Sequence, residues 1–174
     1  CKTAPPVTIV YPNGGEELLQ GRYYFVDDQV RQDMEFYDFK FSGGRGKFQI
    51  LLVKESATNN ADPTDLIVGY ILGSTLPFPP GTGYGDVYPG YGGNSFTDPD
   101  TGLNIILDAW NPFSVCDYPT GLTNCYNVVP GKYKILVISE NEKGQLLLWD
   151  SATSKQGNWD VSDAPFTVSP HPEI

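Results

Sequence analysis

The residues able to do chemistry are few, and they are thinly spread. The one histidine, His171, stands between prolines in the tail SPHPEI. A Ser–His or Cys–His nucleophile needs a base held by the core, and an imidazole metal site needs several such ligands. A lone histidine in a proline-flanked tail supplies neither. Carboxylates are plentiful, but no two stand out as the acid and base of a glycosidase pair. The chain is therefore expected not to be an enzyme and to need no cofactor. One stretch, TDPDTGLN, has the oxygen-rich composition that a hard cation wants on a tight turn. Asp98 and Asp100 lie close together, Gly102 follows, and Asn104 and Asp108 come behind. It lacks an acidic residue at position 102 and a glutamate at the far end of the loop. The expectation is a solvent-exposed turn and no metal, with Asp98 and Asp100 kept as the candidates. Trp110, Trp149 and Trp159, with Tyr84, Tyr88 and Tyr91, could stack on sugar rings. Aromatics also fill cores and interfaces, and Trp149 in LLLWD reads as core.

Three cysteines are present: Cys1, Cys116 and Cys125. The last two bracket CDYPTGLTNC, a short loop that suits a disulfide clasp contributing about 2–3 kcal/mol. A disulfide would place the chain in an oxidising compartment; two buried thiols in a cytosolic protein are the alternative. CxxC spacing is absent, which argues against a zinc knuckle or a thioredoxin-type motif. Cys1 is left over. A mature chain opening on Cys is what lipoprotein processing leaves, with the thiol carrying a diacylglycerol; an intermolecular disulfide is the other option. A lipid on Cys1 would be the one link to a membrane, because no apolar run reaches about eighteen residues. Net charge is −10, from 21 acidic and 11 basic residues. A field of that sign repels phosphate backbones, so nucleic acid and anionic membrane surfaces are not expected partners. The expected location is extracellular or at the cell surface.

Strands must position these residues. The chain is 40% hydrophobic and 13% aromatic over 174 residues, enough to fold around a real core as one domain. Nineteen Gly and fifteen Pro suit many short strands and turns. Period-two alternation marks VTIVY, RYYFVD, EFYDFKF, KFQILLV and YKILVIS, and QLLLWD and PFTVS complete the series. Only DQVRQDMEF could hold a turn of helix. The pattern predicts an all-β sandwich. Residues from about 56 to 125 differ. LIVGYILG and LNIILDAW read as two apolar strands that pair or extend the sheet. The Gly/Pro/Tyr stretch from Ser74 to Gly102 between them is too long for an ordinary loop. The region reads as a large central insertion in a single domain.

The two ends carry the most specific patterns. Near the start, Pro12, Asn13, Gly14, Gly15 and Glu16 form a PNGGE turn, with Gly21 after it. Near the end stand VVPGKY, YKILVIS and SDAPFTV. Asn and Gly adopt positive φ cheaply, so Asn13-Gly14-Gly15 can reverse the chain tightly. Pro12 ends the first strand by removing a donor. In this pairing of motifs the chain resembles the Ig-like domain of the Ser-Thr-rich, GPI-anchored family of cell-wall proteins, which also occurs in bacterial and archaeal surface proteins. That family opens on an apolar strand and Ser-Pro-Asn-Gly-Gly-Glu. It closes on Tyr-x-Ile-x-Ile-Ser and Ser-Asp-x-Pro-Phe-Thr-Ile. The resemblance covers about the first 55 and the last 50 residues. A Trp of the family has no evident counterpart, with Phe39 or Phe41 in its place, and the central insertion has none. The resemblance implies an immunoglobulin-like β-sandwich at a cell surface, with no enzymatic activity.

Two functions follow as expectations. The first is an extracellular structural subunit that assembles with copies of itself into a filament, pilus or layer. The second is a lipid-anchored surface module, monomeric, that binds a glycan or another surface protein. The strand in APPVTIVY bears on the choice. It could complete the sheet of a neighbouring copy, to which assembly leans slightly, or be the chain's own first strand, where the resemblance places it.

Overall fold

The computed structural model describes residues 5–33, 35–44, 48–74, 87–88, 95–118, 124–151 and 154–171. Its strands are β1 (Thr8–Tyr11), β2 (Glu17–Leu19), β3 (Arg22–Val26), β4 (Gln29–Asp33), β5 (Tyr37–Ser42), β6 (Phe48–Lys54), β7 (Ile67–Ser74), β8 (Val87–Tyr88) and β9 (Ser95–Thr97). They continue as β10 (Asn104–Trp110), β11 (Ser114–Cys116), β12 (Cys125–Asn127), β13 (Gly131–Ser139), β14 (Trp149–Asp150), β15 (Lys155–Gln156), β16 (Asn158–Val161) and β17 (Phe166–Ser169). A single 3-10 turn, Thr64–Leu66, is the one helical element among the described residues. The protein is all-β.

Two sheets face each other as a sandwich. The smaller has the order β1-β5-β10-β9, and the larger runs β12-β11-β7-β6-β13-β17-β2, with β16 also on β13 and β8 on β7. Between them lies the main core. The smaller sheet supplies Ile9, Phe39, Phe41, Ile106 and Trp110; the larger supplies Ile50, Leu52, Ile71, Ile135, Val137, Phe166 and Val168. The alternation in EFYDFKF thus selects Phe39 and Phe41 for the interior. The runs ILLV and ILVI are apolar at both parities for a different reason. Leu51, Val53, Leu136 and Ile138 point to the outer face of the larger sheet, where a second core forms with Ala57, Trp159 and Val161. Strands covered on both faces read as continuous apolar runs.

The segment from 56 to 125 contributes to both sheets. β7 pairs β6, whereas β10 pairs β5 in the opposite sheet. β11 and β12 form a hairpin at the far edge of the larger sheet, with Cys116 directly opposite Cys125.

DQVRQDMEF holds no helical turn among its described residues. Gln29–Asp33 is strand β4, which pairs β3 in a hairpin that stands as a two-stranded sheet of its own. The turn between them is Asp27-Asp28, both at positive φ (51° and 62°). That is the backbone a two-residue hairpin with the native twist requires, and Asp reaches it at modest cost.

The first two strands, β1 and β2, run beside the last two, β16 and β17, through the molecule. The Val7 and Ile9 N–H groups donate to the Asn158 and Asp160 side chains, each 151 residues on. Asn13 meets Asp163 at a separation of 150. Beyond it β2 and β17 pair in parallel, with Glu17 opposite Thr167 and Leu19 opposite Ser169. β16 and β17 both lie along the single strand β13, so this track is straight. The chain therefore enters the sandwich at one pole, here the proximal one, and its last strand leaves at the other, the distal one. Of the two placements open for the N-terminal strand, the structure has β1 in the chain's own sheet, antiparallel to β5.

Candidate functional site

The PNGGE turn meets the SDAPF turn and makes a clasp. The Tyr11–Pro12 peptide is cis, and Pro12 brings β1 out of the smaller sheet. The Glu16 carboxylate then turns back on the loop and accepts the Asn13 and Gly14 N–H groups at 2.9 and 2.6 Å. Asn13 reads the other strand with its side chain, donating to Asp163 and accepting the Asp163 N–H at 2.8 Å. Backbone bonds Ala164 N to Asn13 O and Gly15 N to Pro165 O, both 3.0 Å, complete the junction. Beneath it Ser162, 2% exposed, donates its hydroxyl to Pro12 O and accepts the Ile135 N–H. Gly14 has φ of 145°, and a Cβ there would come within 2.6 Å of the Ala164 Cβ. Asn13, Gly14 and Glu16 each have a partner across or within the turn that explains the residue type.

Side chains also close the sheet edges along this track. Asp160, 8% exposed, accepts the Ile9 N–H with one oxygen and the Asn59 amide with the other. Asn59 caps the Val161 N–H. On the distal half the Tyr37 hydroxyl accepts the Leu19 N–H at 2.9 Å and donates to Glu35. Burial raises the Tyr37 pKa above that of a free phenol, and Tyr11 is raised by burial and by the Glu16 carboxylate. Unpaired edges invite pairing with other chains. Here the Ile9 N–H of β1 and the Leu19 N–H of β2 are occupied by side chains.

The other candidate residues scatter. Cys116 and Cys125 form a disulfide. Cys1, Tyr84 and Tyr91 lie outside the described residues, and of Tyr88 only the backbone in β8 is described. Asp98 binds its own turn, accepting the Asp100 N–H and the Thr101 hydroxyl, both at 2.9 Å, and the first of these bonds leads in lowering its pKa. No cluster of three or more His, Cys, Asp or Glu suited to a metal forms among the described residues. Trp110 is fully buried and donates to Ser114 O; Trp159 is buried and donates to Leu148 O. Trp149 departs from the expected core position and is 55% exposed. Leu146 and Leu148 pack on the second core instead. Trp149 then falls on the short β14–β15 ribbon, opposite Gln156, off both sheets. His171 meets Asp33 of β4 at 2.9 Å, linking the segment after β17 to the β3–β4 hairpin.

Three surface features remain. A groove of about 370 Å³ lies at the proximal pole, lined by Pro6, Glu142, Lys143, Asp150, Lys155 and Gly157 among others. A smaller hollow of about 240 Å³ is lined by Tyr11, Phe36, Tyr37, Asp38 and Lys40. At the distal pole the β3–β4 hairpin exposes Phe25, Val26 and Val30. No helix among the described residues is long and apolar enough to cross a membrane. Comparison of the chain with protein-family models, curated proteins and solved structures finds no match in any of the three.

Proposed function

We propose that this chain is a non-enzymatic extracellular structural protein, an immunoglobulin-like sandwich that assembles end to end with copies of itself in a filament, pilus or surface layer. The observation that carries this is the parallel, pole-to-pole track of the first and last strands, joined midway by the clasp. A module whose chain arrives at one end and departs at the other can be strung in series. Support for the immunoglobulin-like connectivity comes from the strand orders. The order β1-β5-β10-β9 corresponds to A-B-E-D, and β17-β13-β6-β7 to G-F-C with a C′ strand. The disulfide is compatible with an oxidising compartment. Negative-stain microscopy and sedimentation velocity of the purified chain test the proposal. Regular fibres or end-to-end oligomers are the expected result, and isolated particles at every concentration would refute it.

A second reading has its own observation. Exposed Trp149 and the aromatic hollow of Tyr11, Phe36 and Tyr37 suit stacking on sugar rings. A surface module of this kind would bind a glycan as a monomer. Titration of intrinsic fluorescence with chito- and manno-oligosaccharides distinguishes it: saturable quenching lost in Trp149→Ala or Tyr11→Ala favours this reading over the first.

A further inference from the structure

Asn13-Gly14 is the one Asn-Gly pair in the sequence. An asparagine side chain is open to attack by the backbone nitrogen of the residue that follows it, and glycine in that place has no Cβ to hinder the approach. In this step the Gly14 nitrogen loses its proton and bonds to the Asn13 Cγ. The Cγ–Nδ2 bond breaks, and the amide leaves as ammonia. Water then opens the cyclic imide at either carbonyl, giving an aspartate or an isoaspartate. No reactant but water is required.

The clasp commits the reacting groups elsewhere. The Asn13 Nδ2 donates to the Asp163 carboxylate at 2.9 Å, and the Asn13 Oδ1 accepts the Asp163 N–H at 2.8 Å. Both ends of the amide are thus bound to the opposite strand, and it turns toward its own backbone only by breaking them. The Gly14 N–H donates to Glu16 Oε1 at 2.6 Å. Attack needs this nitrogen as its anion, and a carboxylate so close disfavours a second negative charge. Burial is not what shields the pair, because Gly14 is exposed and Asn13 only half-buried.

We infer that Asn13 is a self-modification site, kept intact by the closed clasp and released by an open one, so that a copy held open loses the ability to close again. The Asn13 Nδ2 is the donor that faces Asp163 Oδ2, and an aspartate formed at position 13 sets a carboxylate against a carboxylate in its place. The isoaspartate reroutes the main chain through Cβ and Cγ, one methylene longer. It thereby takes the Asn13 carbonyl, which accepts the Ala164 N–H at 3.0 Å, out of the backbone. Either product removes part of the junction between the N-terminal and C-terminal strands. The step is intramolecular and so independent of assembly.

Peptide mapping of the full chain tests it. Trypsin releases Thr3–Arg22, in which Asn13 is the one asparagine, and the amide, aspartate and isoaspartate forms separate by chromatography. At mildly alkaline pH the folded chain should lose the amide roughly tenfold or more slowly than the urea-unfolded chain, since a hydrogen bond to a charged group that must break first slows a step by about that factor. Asp163→Ala and Glu16→Ala, each folded by circular dichroism, should react severalfold faster than wild type. Asn13→Asp should lower the urea midpoint, and adding Asp163→Asn should raise it again by returning a donor to the bridge. An amide lost equally fast in the folded and unfolded chains, or retained in both, would overturn the site. Unchanged rates in both Asp163→Ala and Glu16→Ala would overturn protection by the clasp. A parent midpoint in Asn13→Asp, or no recovery with Asp163→Asn, would overturn the one-way opening.

Discussion

Gly14 is the residue at which the clasp tolerates least. Its φ of 145° is one that L side chains rarely adopt, and its neighbour across the junction, the Ala164 Cβ, leaves no space for a methyl group. Gly15, at φ 81°, has open space around it. Gly14→Ala should therefore destabilise the protein by about 2–3 kcal/mol, adding backbone strain to overpacking. Gly15→Ala should cost about 1 kcal/mol, from conformation alone. Urea unfolding of the two variants checks the order, and an equal or reversed pair would show that the junction is loose. The tyrosines give a second prediction. Burial raises the pKa values of Tyr11, Tyr37, Tyr70, Tyr126 and Tyr133 in the folded protein. A raised folded-state pKa contributes stability that is complete below the unfolded value, near 10, and is lost as pH rises through the folded value. Stability should thus fall with pH above about 10. Spectrophotometric titration at alkaline pH should show these phenols ionising later than those of the urea-unfolded chain. Coincident titrations would contradict the burial.

Among the elements, β1 decides whether the N-terminal segment belongs to this molecule. Val7 and Ile9 are 5% and 3% exposed, and β1 lies between its ladder to β5 and the side-chain bonds from β16. Burying a side chain of that size contributes about 1.5–3 kcal/mol. Losing two of them, the ladder, and the partner of the buried Asp160 carboxylate approaches the whole stability of a domain of this kind, about 5–15 kcal/mol. A truncated chain starting at Pro12 should therefore be largely unfolded by circular dichroism. A folded product with intact thermal cooperativity would contradict the role of β1. Most strands were legible from alternation: VTIVY and PFTVS contain the strands observed, and EFYDFKF, KFQILLV and YKILVIS match theirs to within one or two residues at one end. What alternation could not supply was the second core. The outward residues of ILLV and ILVI are apolar because the 57–67 segment, Tyr118 and the 146–148 segment cover them, and that cover is set by tertiary contacts. The Asp27-Asp28 turn was also illegible, because Asp at positive φ is less common than Gly or Asn. Trp149 was misplaced for a related reason. The apolar run LLLW suggests one strand, but the strand begins only at Trp149.

At the scale of the whole molecule, the PNGGE and SDAPF motifs could each be recognised in the sequence, while their contact could not. It depends on 150 residues of intervening fold bringing Asn13 to Asp163. That contact has a mechanical consequence. Tension applied between the poles, at residues 5 and 170, pulls the parallel first and last strands in opposite directions along their common axis. The β2–β17 ladder, the clasp and the Asn158 and Asp160 bonds all lie across that axis. They are loaded together and must break together. Tension between residues 130 and 170 acts differently. Gly131 is opposite Val168 in an antiparallel pair at the distal pole, so pulling there peels β17 from β13 one bond at a time. Single-molecule pulling should give an unfolding force severalfold higher in the first geometry than in the second. Asn13→Ala should lower the first, by removing the side-chain bridge to Asp163, and leave the second nearly unchanged. Equal forces in the two geometries would show that the terminal strands do not act as one unit, and with that the physical case for a module strung end to end would fail.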